Sequence, residues 1–166
     1  QEVRQLHKLK EDLIAYYPFD GDANDYSGND FHATPCNSYQ YGSGITEECI
    51  SVVGQGFMES SGGHVLLPQY DFSTYSGATL SLWVNATGLT SSDGEMYINL
   101  GNHTNLDGMF ILQSPDEILF QYHETNISIP YSDNYTGNWV MYTMTCGSDG
   151  KLKAYVNGTS VGEVDI

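Results

Sequence analysis

Alternation of apolar and polar residues with a period of two recurs from residue 13 to the end of the sequence. Leu80, Leu82 and Val84 occupy every second position of one such segment, with Ser81 between the first two. Side chains two residues apart point to the same side of a β-strand, so this spacing places an apolar row on one face. Repeated segments of this kind restrict the chain to strands that are each half buried.

Turn residues separate these segments at short intervals. Gly, Asn, Asp and Ser interrupt the apolar runs, and Asn157-Gly158 is the strongest hairpin pattern. Helical spacing occurs only in residues 1–12. The sequence therefore predicts an all-β, two-sheet antiparallel sandwich over 13–166, preceded by a short N-terminal arm at 1–12. The predicted strands are 13–19, 31–34, 55–60, 64–67, 78–84, 95–101, 108–113, 117–123, 126–130, 138–146, 151–157 and 160–166.

The charge of the chain is strongly asymmetric. Five Lys and Arg residues stand against 21 Asp and Glu residues, and none of the five lies between Glu11 and Gly150. Nucleic acid and anionic lipid both require basic surface, so the composition excludes them as partners. No apolar run reaches the length of about 20 residues that a membrane span needs.

Five Asn-X-Ser/Thr acceptor sequences occur in the chain, which is more than its composition produces by chance. They lie at Asn85, Asn102, Asn126, Asn134 and Asn157. The simpler alternative is that a chain rich in Ser, Thr and Asn contains accidental matches. We interpret the excess as the pattern of a secreted or cell-surface protein that carries N-linked glycans.

Three cysteines fit an oxidising compartment only in part, because one of them has no partner for a disulfide. Cys36 and Cys49 bracket the segment 37–48, and a disulfide between them would stabilise the fold by about 3 kcal/mol in the chain-entropy model. Cys146 is then left over, on the apolar side of a predicted strand. Two interpretations stay open for it: a buried, inert thiol, or a bond to another chain.

Four pieces of the sequence, in order, resemble the laminin-G-like jelly-roll group of concanavalin A-like domains. They are LIAYYPFDGDANDYSGND (13–30), GQGFMESSGGHVLLP (54–68), DFSTYSGATLSLWV (71–84) and NWVMYTMTCGSDGKLKAYVNGTSVG (138–162). The resemblance implies a jelly-roll sandwich without catalytic activity. It also implies a further terminal strand beyond the Val156-Asn157-Gly158 hairpin, which this sequence does not contain.

Two explanations stay open: the terminal strand has been cut off, or another element completes the sandwich. A sandwich without this strand would expose an unpaired edge that accepts a strand from another chain. The N-terminal arm is a candidate donor. Head-to-tail exchange of arms does not close on itself and generates filaments. The leading hypothesis is therefore a structural subunit of an extracellular filament or surface assembly, whose partners are other copies of itself or neighbouring proteins. The alternative hypothesis is a calcium-dependent carbohydrate-binding or adhesion module.

The segment after the first apolar run is rich in oxygen ligands. Asp20, Asp22 and Asn24 have the spacing that opens an EF-hand loop, but Asp25 and Phe31 stand where that loop needs Gly and Glu. The laminin-G-like resemblance nevertheless implies a calcium ion near this turn, with Asp20, Asp22, Asn24 and Asp25 as the ligands to test. The alternative is that these side chains form Asx-turns.

Two other parts of the sequence resemble functional sites: an acidic pair near the end and the set of aromatic residues. Glu163 and Asp165 resemble part of the acidic strand of laminarinase-type hydrolases, but the third acid of that pattern is missing, so the sequence predicts no enzyme. Thirteen Tyr with Trp83 and Trp139 could supply a platform on which sugars stack. The interpretation we favour is that most of these rings fill the sandwich core and cover its faces.

Overall fold

The computed structural model describes residues 12–53, 62–71, 75–89, 94–102 and 107–166. The chain divides into two compact units. The first contains Gln1–Gly54 and Ser60–Gln69, and the second contains Gln55–Glu59 and Tyr70–Ile166. Residues 1–11 of the predicted arm lie outside the described part. Within that part there is no α-helix, and no helix is long and apolar enough to cross a membrane.

Four short strands form the ladders described in the first unit: β1 (Thr34–Cys36), β2 (Tyr39–Ser43), β3 (Glu48–Val52) and β4 (His64–Leu66). β1 pairs with β4, and β2 pairs with β3 as a hairpin, both antiparallel. Sequence patterns did not predict the hairpin, because Gly42 and the polar side chains of Gln40 and Ser43 hide any apolar alternation.

Two predicted strands near the start of the chain are wrong. Residues 13–19 form no strand, because the backbone N–H of Tyr16 donates to the side chain of Asp25 at 2.9 Å and Phe19 adopts a left-handed φ of 58°. The strand predicted at 31–34 begins only at Thr34. The strand predicted at 55–60 lies outside the described residues.

The predicted disulfide between Cys36 and Cys49 is absent, and both thiols are free. Cys49 lies opposite Gly42 in the β2–β3 hairpin. The Tyr39–Val52 pair of the same hairpin is three residues, or about 10 Å, away along the strands. Cys36 precedes Tyr39 and pairs with His64 instead. The two cysteines therefore belong to different ladders, whereas a disulfide needs Cα atoms less than about 7 Å apart.

The second unit is a sandwich of two four-stranded antiparallel sheets. Its strands are β5 (Ala78–Val84), β6 (Glu95–Asn102), β7 (Asp107–Gln113), β8 (Glu117–Tyr122), β9 (Thr125–Pro130), β10 (Val140–Cys146), β11 (Lys151–Val156) and β12 (Thr159–Asp165). The front sheet has the order β12-β11-β10-β5, and the back sheet has the order β6-β7-β8-β9. This architecture confirms the predicted all-β, two-sheet antiparallel jelly roll, and all eight strands match predicted segments.

The core of the second unit lies between its two sheets. β10 and β11 alternate strictly between buried and half-buried positions, so their apolar side chains meet those of the back sheet. Burial of these apolar side chains is the main source of the sandwich's stability. The buried cluster contains Leu80, Met109, Ile111, Ile118, Phe120, Ile127, Ile129, Val140, Tyr142, Met144, Cys146, Leu152, Ala154 and Val156.

The sandwich is closed along one side by contact between β12 and β9. A Cβ atom on Gly162 would lie 2.6 Å from Cγ2 of Ile127, so any larger residue at this position would force the Ile127 side chain to move. β12 follows β11 through the predicted Asn157-Gly158 turn, where both residues have positive φ. Among the described residues β12 is the outermost strand of the front sheet. A missing terminal strand stays a prediction.

Cys146 is 6% exposed and packs in the core of the second unit. Burial raises the pKa of its thiol to about 11. Because the thiolate is the nucleophile, a thiol of this kind is inert at neutral pH. Of the two interpretations left open by the sequence, the geometry supports the buried, unreactive thiol.

Candidate functional site

The acidic segment predicted to bind calcium forms a folded loop in the first unit, which we call the opening loop (residues 13–31). Tyr26 N donates to the carbonyl of Tyr16 at 2.8 Å, and Ala33 N donates to the carbonyl of Ala23 at 2.9 Å. The side-chain amide of Asn29 donates to the carbonyls of Leu13 and Ile14. Hydrogen bonds between the start of the loop (residues 13–16) and its later part (residues 26–29) therefore hold it in one conformation.

Asp25 is the centre of this network and is only 7% exposed. Its Oδ1 accepts from the backbone N–H of Tyr16 and Ser27, at 2.9 and 2.8 Å. Its Oδ2 accepts from the Ser27 hydroxyl at 2.7 Å and the Phe31 N–H at 3.0 Å. Burial alone would raise the pKa of Asp25, but these hydrogen bonds outweigh it and lower the pKa to about 2.

Asp22 forms an exposed Asx-turn beside this network. Its Oδ1 accepts from Asn24 N at 2.9 Å, and its Oδ2 accepts from the Asn24 amide at 2.6 Å and the Tyr26 hydroxyl at 3.2 Å. The hydrogen bonds from Asn24 and Tyr26 lower the pKa of Asp22. The hydrogen bond to Asp22 in turn raises the pKa of Tyr26. Tyr16 and Tyr26 present 53% and 58% of their surface to solvent.

Asp25 does not fit a calcium ligand in this arrangement, because both of its oxygens already accept two hydrogen bonds each. Asp22 is engaged in a similar way on both oxygens. Among the described residues no three His, Cys, Asp or Glu side chains are grouped so as to hold a metal ion. The Asx-turn alternative accounts for Asp22 and Asp25. Calcium binding by Asp20, Asp22, Asn24 and Asp25 stays a prediction.

A pair of carboxyl groups lies at the edge of the opening loop. Asp20 is hydrogen-bonded to Glu47, the residue that precedes β3, and this bond raises the pKa of Glu47. Two carboxylates in contact repel each other, so one of them holds its proton more tightly. The loop therefore concentrates negative charge near Tyr26, whose pKa is raised by Asp22 and Asp20.

A second feature lies in the second unit, on the outer face of the front sheet. Trp83 stands opposite Met141 in the ladder and is 48% exposed. Tyr155 projects from the same face, between the buried Ala154 and Val156. We call Trp83, Met141 and Tyr155 the aromatic strip. Beside it, the hydroxyls of Ser81 and Thr143 are hydrogen-bonded across the strands at 2.8 Å.

The opposite end of this outer face is ionic. Lys151 Nζ lies 2.5 Å from Glu163 Oε1 and 3.4 Å from Asp165 Oδ1, and Lys153 Nζ lies 2.5 Å from Asp149 Oδ2. The two acids that resemble a hydrolase strand are thus both paired with one lysine. Among the described residues Lys151 and Lys153 are the only lysine or arginine side chains, and each is held by an acidic partner.

Four of the five predicted glycosylation sites lie at exposed positions: Asn85, Asn126, Asn134 and Asn157. The side chain of Asn102 is outside the description. Asn85 directly follows β5, and Asn157 directly follows β11, on the two strands that flank β10. Both are therefore at the same end of the front sheet as the aromatic strip. Whether sugars are attached stays a prediction.

The sequence named Trp83 as part of a possible stacking platform, but it did not single out Met141 and Tyr155 beside it, or the exposed pair Tyr16 and Tyr26. Tyr142, Phe110 and Phe120 do lie in the interior. For the strip, one pattern could have indicated exposure: Trp83-Val-Asn-Ala-Thr and Tyr155-Val-Asn-Gly-Thr both place an aromatic ring two residues before an acceptor asparagine.

Solved structures with a similar fold include binding domains of bacterial toxins. The binding domain of paraclostridial mosquitocidal protein 1 superposes with a TM-score of 0.68 at 18% identity, covering 95% of this chain and 41% of that one. The binding domain of botulinum neurotoxin DC, in complex with rat synaptotagmin II, gives 0.70 at 16% identity, with 95% and 40% covered. Botulinum neurotoxin type C, whose cell entry depends on interaction with two ganglioside molecules, gives 0.69 at 15% identity, with 97% and 40% covered.

At these identities the likeness shows the fold alone, and the chain spans about two fifths of the length of each of these structures. No curated protein matches the sequence. A family model described as the concanavalin A-like lectin/glucanases superfamily matches residues 59–166, which is nearly two thirds of the chain. The match includes every strand of the two-sheet sandwich in the second unit. This chain therefore belongs to the laminin-G-like branch of the concanavalin A-like lectin/glucanase superfamily.

Proposed function

We propose that this chain is a non-catalytic binding module of an extracellular glycoprotein, and that its opening loop binds a neutral glycan. The observation that carries the proposal is the exposure of Tyr16 and Tyr26 on a loop that is already fixed by Asp25. Aromatic faces bind the apolar faces of sugar rings, and a fixed loop does not lose conformational entropy when the ligand binds. The carboxylate of Asp22, which accepts from the Tyr26 hydroxyl at 3.2 Å, lies beside that ring as a hydrogen-bonding group for sugar hydroxyls.

Charge decides which class of glycan is compatible. The chain has a formal net charge of −16, and the loop itself contains Asp20 and Asp22. The described lysines are both in ion pairs within the second unit. A sialylated or sulfated sugar would meet repulsion here without any cation among the described side chains to balance it. A neutral oligosaccharide avoids this cost.

Two further observations support a binding module over an enzyme. Glu163 and Asp165, the acids that resemble a hydrolase strand, are both paired with Lys151 on an open sheet face. A retaining hydrolase needs two carboxyl groups about 5 Å apart that flank the scissile bond of its substrate. The toxin domains of similar fold are binding domains, and one is reported with a protein receptor.

Replacing Tyr16 and Tyr26 with serine, singly and together, tests the glycan proposal. We expect each single variant to weaken binding to an array of neutral oligosaccharides about tenfold, which corresponds to roughly 1.4 kcal/mol for a central aromatic contact. Tyr39→Ser, which changes another exposed tyrosine of the same unit, is the matched control and should leave affinity unchanged.

Three results of that array are decisive. Loss of affinity in the tyrosine variants with the Tyr39→Ser control intact supports the proposal. Binding restricted to sialylated glycans, or equal binding by all variants, refutes it. Repeating the array with a chelator tests the predicted calcium ion separately, because only a calcium-dependent site would lose affinity.

Assembly through a shared strand is the second candidate function, and the edge of β5 favours it. Among the described residues β5 pairs only with β10, and its seven residues include no charged side chain and no proline. β12, at the other edge, carries Glu163 and Asp165, and its ladder with β11 contains a bulge. Charges and bulges block strand addition, so β5 is the less protected edge.

A charge placed on this edge tests strand addition. If copies of the chain assemble through β5, Thr79→Lys should convert polymers to monomers in sedimentation velocity experiments. Thr145→Lys is the control, because Thr145 stands opposite Thr79 on β10, which is paired on both sides. Native protein that sediments as a monomer at all concentrations would eliminate the filament hypothesis.

A further inference from the structure

We propose that N-linked glycans on Asn85 and Asn157 fold back over the aromatic strip, so that the protein's own sugars cover Trp83, Met141 and Tyr155. The inference rests on the proposed extracellular location, and it assigns a modification site to a surface that the glycan-binding proposal does not use. It begins from an apolar patch, since nearly half of the Trp83 surface is exposed near the end of the edge strand β5, on the same face as Met141 and Tyr155. Contiguous apolar patches on a protein surface often mark a site that another group covers.

The position of the acceptor asparagines relative to the rings supports this occupant. In each of the two matching pentapeptides, the aromatic residue precedes the asparagine by two positions, and a threonine follows it by two. Residues two apart in an extended strand share a face and are about 7 Å apart. A sugar attached to Asn85 therefore starts next to the ring of Trp83.

Both acceptors also meet at one place on the sheet. Met141 is opposite Trp83 on one side. On its other side, Asn157 N donates to the Met141 carbonyl at 2.8 Å. Sugars on Asn85 and Asn157 would therefore approach the aromatic strip from both flanks of β10. The other exposed acceptors, Asn126 and Asn134, have Glu124 and Ser132 at the equivalent position, not a ring.

The hydrogen bonding of Asn157 is compatible with attachment of a sugar. Its Oδ1 accepts from the Met141 N–H at 2.9 Å, which fixes the side chain against the sheet. N-glycosylation modifies the amide nitrogen and leaves the carbonyl oxygen unchanged. The bond to Met141 can therefore persist in the modified protein, while the turn residues Asn157 and Gly158 stay exposed at the end of the hairpin.

The experiment uses the full chain secreted from a eukaryotic cell, in a Trp139→Phe background so that Trp83 is the only tryptophan. Glycopeptide mass spectrometry measures the occupancy of Asn85 and Asn157. Acrylamide quenching of Trp83 fluorescence is then compared with that of Thr87→Ala, which removes the Asn85 acceptor sequence. Ser128→Ala is the matched control, because it removes the acceptor sequence of Asn126, which has no aromatic residue two positions before it.

We expect both sites to be occupied and the quenching constant of Trp83 to rise about twofold in Thr87→Ala, because a sugar on one face covers about half of the ring. Ser128→Ala should leave the constant unchanged. Unmodified Asn85 and Asn157 in secreted protein, or occupied sites with no change in quenching, would overturn the inference. Binding of neutral glycans through Tyr16 and Tyr26 is measured independently, so failure of one proposal is distinguishable from failure of the other.

Discussion

Tyr142→Ala is expected to lower the free energy of unfolding of the second unit by about 3–5 kcal/mol. Tyr142 is 1% exposed and lies on β10, where its ring joins the two sheets. Ring centroids lie 5.5 Å away for Tyr97, 6.1 Å for Phe120 and 6.3 Å for Tyr135. Truncation removes the buried ring and leaves a cavity among these neighbours, which cannot all move to fill it.

Tryptophan fluorescence during chemical denaturation measures this effect, because Trp83 and Trp139 both belong to the second unit. Tyr155→Ala is the matched control, since Tyr155 lies on the neighbouring strand but faces outward. It should cost less than about 1 kcal/mol, as expected for a surface position. Equal destabilisation by the two variants would show that the Tyr142 ring is not a special contributor to the core.

Asp25→Ala is expected to destabilise the opening loop by about 3 kcal/mol or more. The carboxylate accepts four hydrogen bonds, and three of its donors are backbone N–H groups of Tyr16, Ser27 and Phe31. Donors left without an acceptor cost roughly 1–3 kcal/mol each, and these values do not add fully. Asp25→Asn should be intermediate, because the amide keeps one acceptor oxygen but offers N–H groups where acceptors are needed.

Hydrogen exchange at the amides of Tyr16, Ser27 and Phe31 measures the stability of this loop. Asp30→Asn is the control, because Asp30 is an exposed aspartate of the same segment. Exchange at these three amides should accelerate strongly in the Asp25 variants and remain unchanged in the control. Unchanged exchange in Asp25→Ala would refute the role of Asp25 as the centre of the network.

The pKa of Asp25 predicts how loop stability depends on pH. Its pKa falls from 3.8 to about 2 on folding, so the folded state binds fewer protons than the unfolded state between these values. The stabilisation is therefore complete above about pH 4 and is lost as pH falls through 2. Its size is about 2 kcal/mol. Hydrogen exchange measured from pH 5 to 2 should show this loss in the native chain and not in Asp25→Asn.

The strands of the second unit could be predicted from the sequence because their alternation is local. Apolar residues at every second position of β10 and β11 need one buried face, and the Asn157-Gly158 turn sets their connection to β12. Laminin-G-like motifs then indicated how such strands are arranged. The same reasoning gave a wrong prediction for residues 13–19, whose apolar side chains resemble those of a strand. In the structure the backbone N–H of Tyr16 donates to the side chain of Asp25 and not to a neighbouring strand.

The sequence by itself determined the fold class, the strands of the sandwich, the acidic character and the positions of the acceptor asparagines, since each depends on residue type and short-range spacing. Only the tertiary structure decided which side chains meet. Strand pairing placed Cys36 and Cys49 in different ladders. Four hydrogen bonds are donated to Asp25 by residues from separate parts of the opening loop. The ends of β5 and β11, which flank β10, place Asn85 and Asn157 beside one aromatic strip. Contacts between residues far apart in the chain depend on how strands pair and pack, and no local pattern encodes that geometry.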